Sequence, residues 1–270
     1  MVSTTPELPA SIDPNRPSAA RIYDAFLGGT HNFETDRAIA ARAVELVPEI
    51  PLIARANRAF LHRAVRHATG LGIRQFLDLG SGIPTESNVH EVARSAAPEA
   101  RVVYVDIDPT AVLYARHMLG DDPHTAVVHG DLQQPALLLD QPELRDRLDL
   151  TRPVAILMIA VLHFVPDSPA LDSAMRTYRD AAAPGSQLAI SHASTGGRRA
   201  EVDRVADLYN RTGTPLVPRN AAQLTRFFEG WQLVAPGVVR GGDWRPEPQD
   251  HRLPDAVGSL TLAGVGVKPE

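Results

Sequence analysis

A chain of 270 residues, 44% hydrophobic and 22% charged, is long enough to bury a sizeable core, as one large α/β domain or a domain with a cap. A formal charge of -5 and an aromatic content of 5% argue against nucleic acid or a membrane surface as a partner. Cysteine is absent and Lys268 is the only lysine, which excludes disulfides, thiolate metal sites and a cysteine nucleophile and argues against a P-loop or Schiff-base lysine.

Residues 1–16, punctuated by Pro6, Pro9 and Pro14, read as a disordered tail. They hold no apolar segment of signal-peptide type, so a cytoplasmic protein is expected. Ser18 stands at an N-cap position before a helix over 19–27, which Gly28-Gly29 stops. Further helices are predicted over 35–46 and 53–69. Residues 17–70 therefore read as a helical cap, ahead of a sheet-containing domain over 71–270. From Arg74 the pattern alternates: strand 74–79, helix 87–97, strand 101–105, helix 110–119 and strand 125–129. Pro135 and Pro142 then allow only short helical pieces. Strand 153–159, helix 168–183, strand 187–191 and helices near 197–211 and 220–228 follow. Strands 231–235 and 257–267, separated by a proline-rich loop, close the chain. The βαβα order predicts an α/β fold with a parallel, doubly wound sheet, to which the last two strands add a hairpin-like pair. The longest apolar run, 154–165, contains His163 and is too short to span a bilayer.

Three of the predicted strands end in acids. The first runs Phe76-Leu77-Asp78-Leu79 into Gly80-Ser81-Gly82, a turn in which glycine lets the backbone approach a ligand. The third glycine of the dinucleotide fingerprint is missing, because Thr85 occupies its place. Asp78, just before the turn, would repel a pyrophosphate and suits a ligand with a cationic end. Asp106 ends the second strand, where a carboxylate accepts hydrogen bonds from ribose hydroxyls. Asp108, two residues on and followed by Pro109, fits an N-cap better, although either acid could hold the ribose. The third strand ends in His129-Gly130-Asp131-Leu132, an ordinary turn by itself, where Asp131 could accept from an adenine amino group and Leu132 could offer its amide. The fourth strand should end near Ala160, leaving His163 at the same edge, with His192 ending the next strand. Both histidines are candidate general bases, and no third residue completes a metal site with them. In the cap, Tyr23, Asp24, Gly29, Asn32 and Phe33 form a dense aromatic and polar cluster of the kind a lid needs to exclude water and orient a substrate.

These strings resemble class I S-adenosylmethionine-dependent methyltransferases, and among them the actinobacterial S-adenosyl methyltransferase family known as the DUF574 group. The resemblance rests on Ala20-Arg21-Ile22-Tyr23-Asp24, Leu27-Gly28-Gly29 and Asn32-Phe33 in the cap. It continues through Gln75 to Thr85, Asn88 to Ala93, Arg101 to Asp106, Leu162-His163-Phe164 and Pro184-Gly185-Ser186. It implies a Rossmann-like, seven-stranded methyltransferase sheet with S-adenosyl-L-methionine as cofactor. Gly80 and Gly82 would lie beside the methionine moiety, Asp106 at the ribose and Asp131 at the adenine, with Asp78, Ser81, Ile107, Leu132 and Ala160 also at the cofactor. The expected activity is methyl transfer to an O, N or C nucleophile of a small molecule. The alternatives are a non-catalytic S-adenosylmethionine-binding protein and a nicotinamide-dependent oxidoreductase.

Overall fold

The computed structural model describes residues 12–84, 87–248, 250 and 253–270. The expected tail up to residue 11, and Thr85, lie outside the described residues. Three helices come first: α1 (Ala19–Phe26), α2 (Glu34–Leu46) and α3 (Ile50–Gly70). Ser18 caps α1, its hydroxyl accepting from the Arg21 amide at 3.2 Å. Asp36 reaches back from the first turn of α2 to accept from the Phe33 amide at 2.8 Å.

The alternating part follows as β1 (Gln75–Leu79), α4 (Val89–Ala96), β2 (Arg101–Asp106), α5 (Pro109–Leu119) and β3 (Thr125–His129). The short helices α6 (Pro135–Leu139) and α7 (Pro142–Arg145) each begin on the proline that limited them in the sequence. Then come β4 (Ala155–Ile159), α8 (Pro169–Ala181), β5 (Gln187–Ala193), α9 (Arg199–Asn210) and α10 (Ala221–Thr225). The chain ends in β6 (Gln232–Leu233), β7 (Val239–Arg240), α11 (Asp255–Gly258) and β8 (Thr261–Val267).

The strand order is β3-β2-β1-β4-β5-β8-β6, with β7 also paired to β8. Strands β1 to β5 are parallel, and β8 runs antiparallel to β5, β6 and β7. The doubly wound α/β sheet is as expected. It has eight strands among the described residues rather than seven, because β7 is a two-residue pairing too short to leave a periodic signal. The last strand starts at Thr261 instead of 257, since 255–258 turn as a helix.

Both faces of the sheet are covered, which is why its strands read as apolar runs. Leu77, Val103, Ile156 and Leu188 point to one face and pack with Leu171 and Tyr178 of α8. Phe76, Val102, Leu157 and Ala189 point to the other and pack with Phe60, Ala64 and Ala68 of α3. Helix α3 is therefore a layer of the core, and the boundary expected near residue 70 falls behind an element that shares it. Helices α1 and α2 form a separate apolar cluster with α9 through Ile22, Ala43, Val47, Val205 and Tyr209.

One buried cation fastens the late loop to α3. The Arg63 guanidinium, 3% exposed, donates to the carbonyls of Trp244 and Gly241 at 2.8 Å each and to the carboxylate of Asp250. Removing it takes the cation from the Asp250 carboxylate, which keeps the Glu247 amide, and the donor from two carbonyls. Arg63→Ala is expected to cost about 3 kcal/mol of unfolding free energy by urea titration, and a loss within experimental error would contradict the clamp.

Candidate functional site

The parallel strands deliver their carboxyl ends to one edge, and the turn after β1 is pinned there. The amides of Gly80 and Ser81 both donate to the Val105 carbonyl, at 2.8 and 3.0 Å. The chain can make this reversal because Gly80 and Gly82 adopt φ of +74° and +66°. The two glycines differ in surroundings. A Cβ on Gly80 would fall 2.2 Å from Cγ2 of Val161, whereas one on Gly82 would meet nothing within 4 Å.

The Gly82 amide donates to Oδ2 of Asp106 at 2.7 Å, and the Asp108 amide donates to Oδ1 at 2.9 Å. Asp106 is buried, and burial pushes its carboxyl up to about 6 against the pull of these amides. Asp108 plays a different part. Its Oδ1 caps α5 by accepting from the Thr110 amide at 2.7 Å, and its Oδ2 lies 3.8 Å from the Arg21 guanidinium. Asp78 is also buried, and no hydrogen bond from a described residue reaches its carboxylate. Burial raises it to about 7; the charge of Arg58 opposes the rise and that of Asp106 adds to it. Asp131 accepts from the Gln133 amide at 2.9 Å.

All four acids face one cavity of about 550 Å³, whose wall also includes Gly80, Ser81, Gly82, Ile107, Leu132 and Ala160. Ile107 is 63% exposed, an apolar side chain left uncovered at the rim. Ala160 has φ of +55°, rare for a residue with a side chain, and its amide donates to the hydroxyl and the carbonyl of Ser191. Strain of this kind concentrates where a strand end is shaped for a ligand.

The expected lid residues divide. Tyr23 lines the cavity. Asp24, Gly29, Asn32 and Phe33 instead hold the cap's own turn. Oδ2 of Asp24 accepts from the His31 amide at 2.9 Å and from Nδ2 of Asn32 at 2.7 Å. Gly29 is glycine because a Cβ there would sit 2.0 Å from Oδ1 of Asp24. Phe33 lies under the Arg21 guanidinium, 4.8 Å from its ring centre.

The candidate bases His163 and His192 need correction, because neither lines the cavity and neither has a free lone pair. Nδ1 of His163 accepts from the Ala193 amide at 3.2 Å, so its proton sits on Nε2. Nδ1 of His192 donates to the Ala193 carbonyl at 2.7 Å, and Nε2 accepts from Arg219 at 2.8 Å. Burial takes His163 well below the usual imidazole range and brings His192 to about 4, with the Arg219 charge acting in the same direction on both. Both rings are neutral struts.

Several residues escaped the sequence reading. Arg219, 1% exposed, braces the loop after β4 through the carbonyls of Leu162 and Val165 and the carboxylate of Asp167. No periodicity marks it, since it lies between helices. Asn57 and Arg58 line the cavity from α3. Asn57 did carry a signal: it is an amide on the helical stripe Ala54, Asn57, Leu61, Ala64 that is otherwise apolar. Residues 12–18, most of them read as tail, cross the mouth of the cavity, where Ile12 is buried.

The sequence profile of the S-adenosyl methyltransferase family matches residues 5–269, essentially the whole chain. The chain belongs to this family. A solved structure of a candidate methyltransferase from Thermobifida fusca YX is 42% identical over 97% of this chain and 98% of that one, with a TM-score of 0.90. A DUF574 family protein from Streptomyces avermitilis MA-4680 is 41% identical over 95% and 99%, with a TM-score of 0.89. No curated protein matches. S-adenosylmethionine is the cofactor of the family, and membership sets the nicotinamide alternative aside. The donor set agrees with a cationic, phosphate-free ligand, because an unbonded buried carboxylate adjoins the glycine turn where a phosphate would require amides or cations.

The two glycines predict different outcomes. Gly80→Ala combines a positive φ with a collision against Val161 and is expected to lose about 2–3 kcal/mol of stability. Gly82→Ala bears only the φ penalty, about 1 kcal/mol. Urea unfolding of the pair checks the ranking, and a reversed order would contradict the close approach of Val161.

Proposed function

We propose that this protein binds S-adenosylmethionine at the carboxyl edge of β1 to β4 and transfers its methyl group to a small molecule held beneath the cap. The observation that carries this reading is the set of acids Asp78, Asp106 and Asp131 at the ends of three adjacent parallel strands, all facing one cavity. Asp106 would accept from the ribose hydroxyls while the Gly82 and Asp108 amides hold its carboxylate in place. Asp131 would accept from the adenine amino group, with Ile107 covering the base. Asp78 would pair with the α-ammonium of the methionine part, which gives a buried, unbonded carboxylate the partner it lacks.

When bound, the cofactor supplies a methyl group on a cationic sulfur that is already electrophilic. The work left to the chain is orientation and exclusion of water. Val161 and Ala160 form the floor at the end of β4, while Tyr23 and the 12–18 strap close the cavity from above. Neither histidine takes part in proton transfer, because the lone pairs are committed.

Calorimetry with S-adenosylhomocysteine tests the reading: saturable binding is expected, and folded protein that binds neither it nor S-adenosylmethionine would refute the proposal. Asp106→Ala should weaken binding by about tenfold or more, and unchanged affinity would remove the ribose assignment. The pH dependence has a defined sign. Folded Asp78 holds its proton up to about 7, so the ammonium loses its partner as pH falls. Affinity should therefore drop between pH 8 and pH 6, and Asp78→Asn should flatten that slope. Without ligand the same raised carboxyl contributes stability at low pH, which is lost as pH rises through about 7.

A further inference from the structure

Besides the three acids, the cavity wall includes Tyr23, Asn57, Phe164 and the loop 212–215. Its polar groups have fixed roles. The Tyr23 hydroxyl donates to the Ala54 carbonyl at 3.2 Å and accepts from Nδ2 of Asn57 at 2.9 Å. Burial raises the phenol above its usual range, so it stays protonated. Oδ1 of Asn57 accepts from the Ser191 hydroxyl, whose oxygen accepts from the Ala160 amide at 3.0 Å. A directed chain thus runs from the strained end of β4 to the cap. Each oxygen in it already receives a proton from the protein, whereas Nδ2 of Asn57 carries a second N–H that no described residue accepts.

The other groups of this wall tell the same story. The Thr212 hydroxyl donates to the Tyr209 carbonyl at 2.7 Å. Asp13, at the mouth, is exposed and accepts from the Asn15 amide at 2.9 Å. Arg16 and Arg58 line the cavity, and the charge of Arg58 is felt at both Tyr23 and Asp78. Donors and positive charge meet here, and the one carboxylate among these described residues, Asp13, is exposed to solvent. A neutral alcohol or amine acceptor must lose a proton as it is methylated, whereas a nucleophile that is already an anion loses none and suits a wall of donors.

We propose that the acceptor is a small-molecule carboxylate and the product its methyl ester, an inference that rests on the methyltransferase reading above. One carboxylate oxygen uses a lone pair to form a bond to the methyl carbon as the carbon–sulfur bond breaks, and the bonding pair stays on sulfur. No proton moves. The sulfonium and carboxylate charges cancel, which a water-excluding cavity favours. The spare N–H of Asn57 holds the second carboxylate oxygen and aims the first.

The test uses the full chain with methyl-labelled S-adenosylmethionine and the small-molecule fraction of a cell extract. Carboxyl methyl esters release labelled methanol in mild alkali, whereas methyl groups on nitrogen, sulfur, carbon or an ether oxygen are retained. Volatile label is expected, and an alkali-stable product overturns the proposal. Asn57→Asp keeps the size of the side chain and an acceptor for the Ser191 hydroxyl, but removes both N–H groups, the spare one and the one to the Tyr23 hydroxyl, and brings negative charge. It should hold S-adenosylhomocysteine affinity within about threefold of wild type while ester formation falls about tenfold or more. Undiminished ester formation by that variant removes Asn57 from the acceptor site. Wild-type protein that fails to bind S-adenosylhomocysteine refutes the cofactor reading itself. Binding without transfer to any component overturns the carboxylate proposal and leaves the cofactor site standing.

Discussion

The carboxylate of Asp106 is the joint on which the site depends. One of its oxygens receives the amide of Gly82 and the other the amide of Asp108, so a single side chain ties the turn after β1 to the end of β2. That tie, with the two amides on the Val105 carbonyl, sets the path of residues 80–82. The path presses Gly80 against Val161 and leaves Asp78 facing the cavity. It also places Asp108 to cap α5. The cost is electrostatic: burial raises both carboxyls, and the charge of Asp106 adds to the rise at Asp78. A cationic ligand offsets that cost, which connects the stability of the edge to its function.

The cap is docked by charge as well as by apolar packing. Arg21 of α1 is buried, bonds Asp36 of α2 at 2.7 Å and donates to the Thr110 hydroxyl at 3.0 Å at the start of α5. A buried pair of this kind adds little net stability, but its geometry admits few alternatives. It fixes how the cap sits above the sheet edge, and so where Tyr23 enters the cavity. The short bonds that gather Asp24, Asn32 and Arg37 hold the turn behind it. The dense polar cluster of the cap thus mostly holds the cap's own turn, and Tyr23 is its member that lines the cavity.

The alternation of apolar strands and helices from Arg74 onward was plain in the sequence, because a parallel sheet buried on both faces leaves continuous apolar runs. The acids Asp78, Asp106 and Asp131 were legible for the same reason: each interrupts such a run at its end. What escaped was decided by tertiary contact. β7 is two residues in a loop, and its pairing to β8 has no local cause. Helix α3 read as cap because helical periodicity says which face is apolar and nothing about what covers it. His163 and His192 looked like bases because strand-end histidines in such sheets face ligands, whereas Arg219, nearly thirty residues beyond His192, engages one ring and braces the loop that carries the other. Arg58 and the 12–18 strap reach the cavity only through the packing of α3 and α1, which no spacing encodes.

The most direct measurement of the central claim is a crystal structure of the protein grown with S-adenosylhomocysteine. The account predicts the ligand along the carboxyl ends of β1, β2 and β3, with ribose oxygens at hydrogen-bond distance, about 2.5–3.0 Å, from Asp106. It also predicts the amino group against Asp78. A ligand bound elsewhere, or bound there with its ribose away from Asp106 and its amino group away from Asp78, would contradict it.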